Sequence, residues 1–233
     1  MRSPTAEKKK KASKNLCNNK EEIKMERTEN NVVKLTGTIV AGYEYSHSVM
    51  GENFYATELV SRRGSGTEDI VKILVSERLI DVSENDIGRR VSVEGQYRSF
   101  NSHEEHGSKL LLQVFVKKIE KITEDIEENS IYLDGFICKP PIYRMTPLGR
   151  EIADVLLAVN RAYGKSDYIP CIMWGRNARF AEVLEVGSRI KVNGRIQSRG
   201  YVKKYEDHEE EKRAYEVSIS TFELGEEVKK LCA

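Results

Sequence analysis

Glycines recur at a nearly constant separation along these 233 residues. Gly37 and Gly135 lie 98 positions apart, as do Gly51 and Gly149, and so do Arg63 and Arg161. Gly88 and Gly187, then Gly95 and Gly194, are separated by 99. Glycine inside an apolar strand pattern marks a bulge, a tight bend or a close backbone approach. Special backbone positions held in register across two halves predict one fold occurring twice. The length also suits two ordinary domains better than one.

The texture of both halves is β. "VVKLTGTIVAGYEY", "NFYATELVSRR", "DIVKILVSE", "RRVSVEGQYRSF" and "SKLLLQVFVKKIE" are short, β-branched runs with partial alternation. After a charged bridge come five more: "IYLDGFICKPPIY", "EIADVLLAVNR", "SDYIPCIMWG", "RIKVNGRIQSRGY" and "RAYEVSISTFE". "RNARFAEVLEVG" has helical spacing and a terminal Gly. Five strands with a short helix between the third and fourth match the OB pattern, and closing so small a barrel needs bent strands. The expected class is all-β: two tandem OB-fold (five-stranded Greek-key) barrels, each with a short helix between strands three and four. The expected divisions are a disordered basic tail at 1–29, a first barrel at 30–121, a linker at 122–129, a second barrel at 130–225 and a short tail at 226–233. The first segment is polar and lysine-rich at Lys8 to Lys11, too poor in apolar groups to offset chain entropy.

Composition removes several classes of function. Four cysteines (Cys17, Cys138, Cys171, Cys232) form no CxxC pair, so neither a zinc site nor a disulfide framework is expected. His103 and His106 in "SHEEHGSK" lack the HExxH spacing and read as an acidic hairpin tip rather than a metal site. "GSG" at Gly64–Gly66 lacks the context of a triphosphate loop. No catalytic constellation appears, and neither cofactor nor metal is expected. No apolar run approaches the ~20 residues that span a bilayer. A cytoplasmic, nucleoid-associated location without membrane contact is the expectation.

The lone tryptophan sits in "DYIPCIMWGRNARF". Alternation there sets Tyr168, Pro170, Ile172 and Trp174 on one face and Ile169, Cys171 and Met173 on the other, core-facing one. The motifs "TPLGREIADVLLAVNR", "CIMWGRNA", "LEVGSRIKVNGRIQSR" and "YEVSIS" occur in order, and from Ile131 to Leu224 the chain resembles bacterial single-stranded-DNA-binding proteins. That resemblance implies sequence-tolerant binding of single strands by base stacking, protecting them in replication, repair or recombination. It implies stacking roles for Tyr163, Tyr168, Trp174 and Tyr201. Stacking tolerates any sequence because every base has a π-face. Between Lys139 and Lys204, thirteen basic residues face five acidic ones, a balance of +8 against +1 for the whole chain. Arg150, Arg161, Arg176, Arg195, Arg199 and Lys203 are the candidate phosphate contacts, and such a surface implies strong salt dependence.

The first half departs from that frame. The positions matching the four aromatics are Ser65, Ile70, Ser76 and Ser102, so this barrel is expected to have lost most base stacking and to serve assembly and backbone contact. The resemblance further implies a homodimer that gathers four barrels. The family's acidic recruiting tail is not seen in "ELGEEVKKLCA", which leaves contact with replication or repair proteins open. Two alternatives stay open: an OB-fold protein-interaction or primosome-like module, and RNA binding, since stacking plus phosphate contact does not separate DNA from RNA.

Overall fold

The structure is a computed structural model that describes residues 29–104, 107–204 and 208–225, without the side chains of 102–109. The first half forms β1 (Asn31–Ile39), β2 (Glu44–Val49), β3 (Glu52–Arg62), β4 (Glu68–Ser76), β5 (Arg90–Glu104) and β6 (Gly107–Lys121). The second forms β7 (Asn129–Ile137), β8 (Ile142–Met145), β9 (Glu151–Asn160), β10 (Ser166–Trp174), α1 (Arg176–Ala181), β11 (Arg189–Lys204) and β12 (Glu209–Leu224). The opening run of each half is thus broken into two strands at a Gly- or Pro-containing bend.

The strand order β2-β3-β4-β6-β5-β1-β7-β11-β12-β10-β9-β8 is a palindrome under the repeat. Pairings β1–β3 and β7–β9 close each half into a barrel, and β4–β6 and β10–β12 are the parallel pairs. Two OB barrels are therefore joined edge to edge through antiparallel β1 and β7. Val33 faces Ile131 at the centre of that pairing, with Asn31 opposite Leu133 and Leu35 opposite Asn129. Val33 and Ile131 are themselves repeat mates, which places a pseudo-dyad between them. Asn31 brackets the Tyr97 backbone with two hydrogen bonds, and Asn129 does the same for Ile196.

The repeated glycines sit where strands cross. A Cβ on Gly37, Gly95 or Gly194 would overlap a carbonyl oxygen of Val60, Phe115 or Ser218, and one on Gly135 would lie 2.8 Å from that of Ala158. Gly95 and Gly194 also mark bulges in the β5–β6 and β11–β12 ladders. Inside, Leu35, Leu59, Ile73, Val93 and Val114 fill one barrel, and Leu133, Leu157, Ile169, Met173 and Val217 the other.

A second seam joins the barrels away from the dyad strands. Arg63 holds Asp69 through two hydrogen bonds of 2.6 Å, and Asp69 accepts the Ser198 backbone N–H from the other barrel at 2.7 Å. The mirror contact pairs Arg161 with Asp167, which accepts the Ser99 N–H at 2.6 Å. Ser198 and Ser99 hydroxyls in turn accept the Ile70 and Tyr168 N–H groups. Asp69 and Asp167 are fully buried, so each ion pair is also a hydrogen-bonded splice between barrels.

One expectation changes in this light. Among the described residues the short helix forms only in the second barrel. The matching segment of the first, after β4, is a run of turns. There the Asp81 and Asn85 side chains accept the N–H groups of Ser83 and Ile87, local bonds that compete with a helical ladder. The bridge at 122–129 is pinned to the first barrel. Thr36 Oγ1 donates to the Ile126 carbonyl and accepts from Glu128 N–H, Arg90 donates to the Ile126 carbonyl, and Asn129 already belongs to β7. The 1–29 tail lies outside the described residues except for Glu29, which pairs with Lys117. The 226–233 tail and the hairpin tip around His106 lie outside them too.

Candidate nucleic-acid interface

Alternation along β10 buries Ile169, Cys171 and Met173 and turns Tyr168 outward, with Trp174 half-buried at the strand end. Burial pushes the Cys171 thiol up, out of the range of a nucleophile. Trp174 donates its indole N–H to Ser218 Oγ at 3.0 Å, which fixes the ring against β12 and leaves one face to a groove. That groove, about 760 Å³, is walled by Trp174, Ile152 and Ile172 and by five arginines: Arg63, Arg144, Arg150, Arg195 and Arg199. Arg63 comes from the first barrel, so both units build it.

The arginines differ in how they are held. Arg63 is tied to Asp69 and Arg144 to Asp154. Arg150, Arg195 and Arg199 have no carboxylate partner among the described residues. Burial pushes the Arg195 guanidinium pKa down, nearby Arg63 pushes the same way, and its Nε finds no acceptor. A half-buried cation beside another cation is a site awaiting an anion.

From the groove, alternate residues of β11 (Arg195, Gln197, Arg199, Tyr201) continue along one face. At ~3.3 Å per residue this track covers about 20 Å. Tyr201, 43% exposed, stands on the hairpin arm formed by β11 and β12. Arg176 opens α1 without a carboxylate partner among the described residues. Lys203 lies opposite Glu210 in the ladder, and Glu209 and Glu211 face Lys204 and Val202. The returning acidic strand thus offsets much of the arm's positive charge.

Tyr163 is fully exposed and adopts a left-handed backbone (φ 61°) followed by another at Gly164. Strain of this kind at an exposed aromatic suits a residue displayed to a ligand. Tyr168, 47% exposed, lies beside the seam at Ser99. Neither lines the Trp174 groove. Arg161 does not line it either: its guanidinium is held by Asp167 and the Ser99 carbonyl at the seam and lies over the Phe100 ring of the first barrel. Phe180 on α1 is 41% exposed and packs on Phe222. Sequence reading missed Arg63, Arg144 and Ser218 as parts of this groove. Their signal was present only for Arg63, whose repeat mate was already noted.

Residues 128–224 match the model of the single-strand binding protein family. Single-stranded DNA-binding protein B of Bacillus subtilis is 38% identical over 80 residues, covering 31% of this chain and 71% of that protein. The chain belongs to the single-strand binding protein family. The Bacillus cereus single-stranded DNA-binding protein is 39% identical over 80 residues, covering 31% of this chain and 47% of its own length. The chain spans about half the length of most of the curated relatives it matches. The crystal structure of wild-type single-stranded DNA binding protein from Thermus aquaticus superposes with a TM-score of 0.66 at 21% identity. It covers 84% of this chain and 93% of that one, a likeness that extends the shared fold over both barrels.

Proposed function

We propose that this family member is a non-catalytic, sequence-tolerant binder of single-stranded DNA, acting in replication, repair or recombination. The observation that carries this is the half-buried Trp174 ring set beside Arg150, Arg195 and Arg199, which have no carboxylate partner among the described residues. A base lies on Trp174, the phosphates follow Arg150, Arg195 and Arg199, and the strand continues along β11 toward Tyr201. Arg176, two residues beyond Trp174 at the start of α1, adds a further phosphate contact. Tyr163 and Tyr168 take bases beyond the seam. Nothing in this scheme requires a bond to be made or broken. A cytoplasmic, nucleoid-associated location belongs to the same proposal; among the described residues no helix is long and apolar enough to cross a membrane.

Titration with oligo(dT) while exciting the single tryptophan tests it. Strong quenching is expected. Four arginines (Arg150, Arg176, Arg195 and Arg199) at about 0.7 counterions each predict a loss of affinity of about fiftyfold between about 50 and 200 mM salt. No quenching and no binding by a folded sample would sink the proposal in favour of a protein-interaction module. Equal or tighter binding of oligo(U) would move it to RNA.

The same proposal includes a homodimer that gathers four barrels. Light scattering should then give twice the 26.6 kDa chain mass. A mass equal to one chain, at the concentrations where DNA is bound, removes the dimer and leaves the internal pair of barrels as the working unit.

A further inference from the structure

The first barrel lacks aromatics at the four positions matching Tyr163, Tyr168, Trp174 and Tyr201, yet it holds an aromatic stack of its own. In the parallel pairs, Leu74 faces Phe115 just as Ile172 faces Ser218. Phe115 therefore occupies the place of Ser218, the hydroxyl that receives Trp174, while Ser76 occupies the place of Trp174. The large ring has moved from one strand to its neighbour. Phe54, matching groove residue Ile152, lies 5.7 Å from the Phe115 ring, and His47 stacks on Phe54 at 5.2 Å.

Each side of the pseudo-dyad also holds a pair of neighbouring guanidiniums, although Arg98 matches Gln197 and Arg195 matches Gln96. Arg98 lies over Phe115 with its guanidinium carbon 4.5 Å from the ring centre. It has no carboxylate partner among the described residues and donates only to Gln96. Burial holds its pKa down, and the neighbouring guanidinium of Arg161 pushes the same way, as Arg63 does to Arg195 in the other groove. Arg161 itself crosses from the second barrel and sits 5.3 Å from the Phe100 ring. Its turn, Arg161–Lys165, takes on the first barrel the place that Arg63–Thr67 takes on the second. The fully exposed Tyr163 belongs to that turn.

We infer that the first barrel carries a second groove for single-stranded nucleic acid, with Phe115 as its stacking floor, the buried Phe54 as the support beneath that ring, and Arg98 and Arg161 as its cationic edge. This rests on the function proposed above and extends it to a second segment of the same strand. Arg98 lifts from Phe115 to a phosphate as a base takes its place on the ring. The cation–π contact thus keeps the ring covered while the groove is empty.

The test uses the full chain and fluorescently labelled oligo(dT) of about 12 and about 30 nucleotides, since one OB barrel covers about 4–16. Wild type is expected to bind the longer strand more tightly, because it alone reaches both grooves. Phe115→Leu combined with Arg98→Gln should bind the longer strand about tenfold or more weakly. The short strand should bind unchanged, with Trp174 quenching intact as proof that the second barrel is folded. Arg98→Gln alone, which leaves the rings in place, should lower the salt slope of the longer complex by about 0.7. Wild-type affinity for the longer strand in the double variant, or an unchanged salt slope in the single one, overturns the second groove and leaves the Trp174 groove standing. Failure of wild type to bind either length overturns both.

Discussion

Asp69→Ala should lower the unfolding free energy by about 3–5 kcal/mol, the usual cost of removing one partner from a buried, hydrogen-bonded ion pair. Asp69 is fully buried and takes two bonds from Arg63 and one from the Ser198 backbone. Alanine strands a guanidinium that is 23% exposed together with an N–H in the seam. Asp69→Asn keeps an acceptor for Ser198 and should cost less. Adding Arg63→Met to Asp69→Ala should restore part of the loss, because the uncompensated charge goes with it. Urea unfolding followed by Trp174 emission reads all three. A loss below about 1 kcal/mol for Asp69→Ala would mean that the β1–β7 pairing alone holds the barrels and that the seam is incidental. Asp167→Ala tests the mirror position, and two similar losses would establish the dyad energetically.

The same positions show how far the sequence could be read. Gly37, Gly95, Gly135 and Gly194 announced two barrels because a glycine demanded by a crossing strand leaves an unambiguous mark. The offset that links them also links Asp69 to Asp167, Asn31 to Asn129 and Ser99 to Ser198. Polar residues repeat for many reasons, and only the structure shows that these ones meet across a dyad. Trp174 and its arginines were legible through local alternation and the family's motifs. The aromatic stack of the first barrel was not. The last strands of the two halves, β6 and β12, follow hairpins of unequal length, so Phe115 and Ser218 are 103 positions apart and a constant offset of 98 or 99 misses the exchange. The barrel that Arg161 faces was not legible for a related reason. The charge of Arg161 was visible in the sequence, whereas the buried Asp167 that orients it across the seam is fixed by the turn between β9 and β10. Phe180 stays partly exposed because α1 is six residues long and has room for a single buried stripe, which Ala178 and Ala181 take.

Gly194→Ala should cost about 3 kcal/mol, at the upper end of ordinary overpacking, and should disturb binding as well as stability. Gly194 ends the pairing of β11 with β7, opposite Ile131 at the dyad, and begins the bulge after which β11 continues with β12 alone. A Cβ there would run into the Ser218 carbonyl oxygen, which is backbone and has no rotamer by which to escape. Ser218 is also the residue that anchors the Trp174 indole. Displacing it releases the stacking ring, so Trp174 emission should change in the folded state and oligo(dT) quenching should weaken. Gly200→Ala is the matched control: it lies on the same strand, with nothing within 4 Å of the added methyl. It should be neutral or stabilising by about 0.4–1 kcal/mol, through the reduced entropy of the unfolded chain. Equal stabilities for the two variants would show that the ladder can shift to admit a side chain at the bulge, and the repeated glycines would then need another explanation. A loss confined to Gly194→Ala would tie the feature that revealed the two barrels to the ring proposed to hold the DNA.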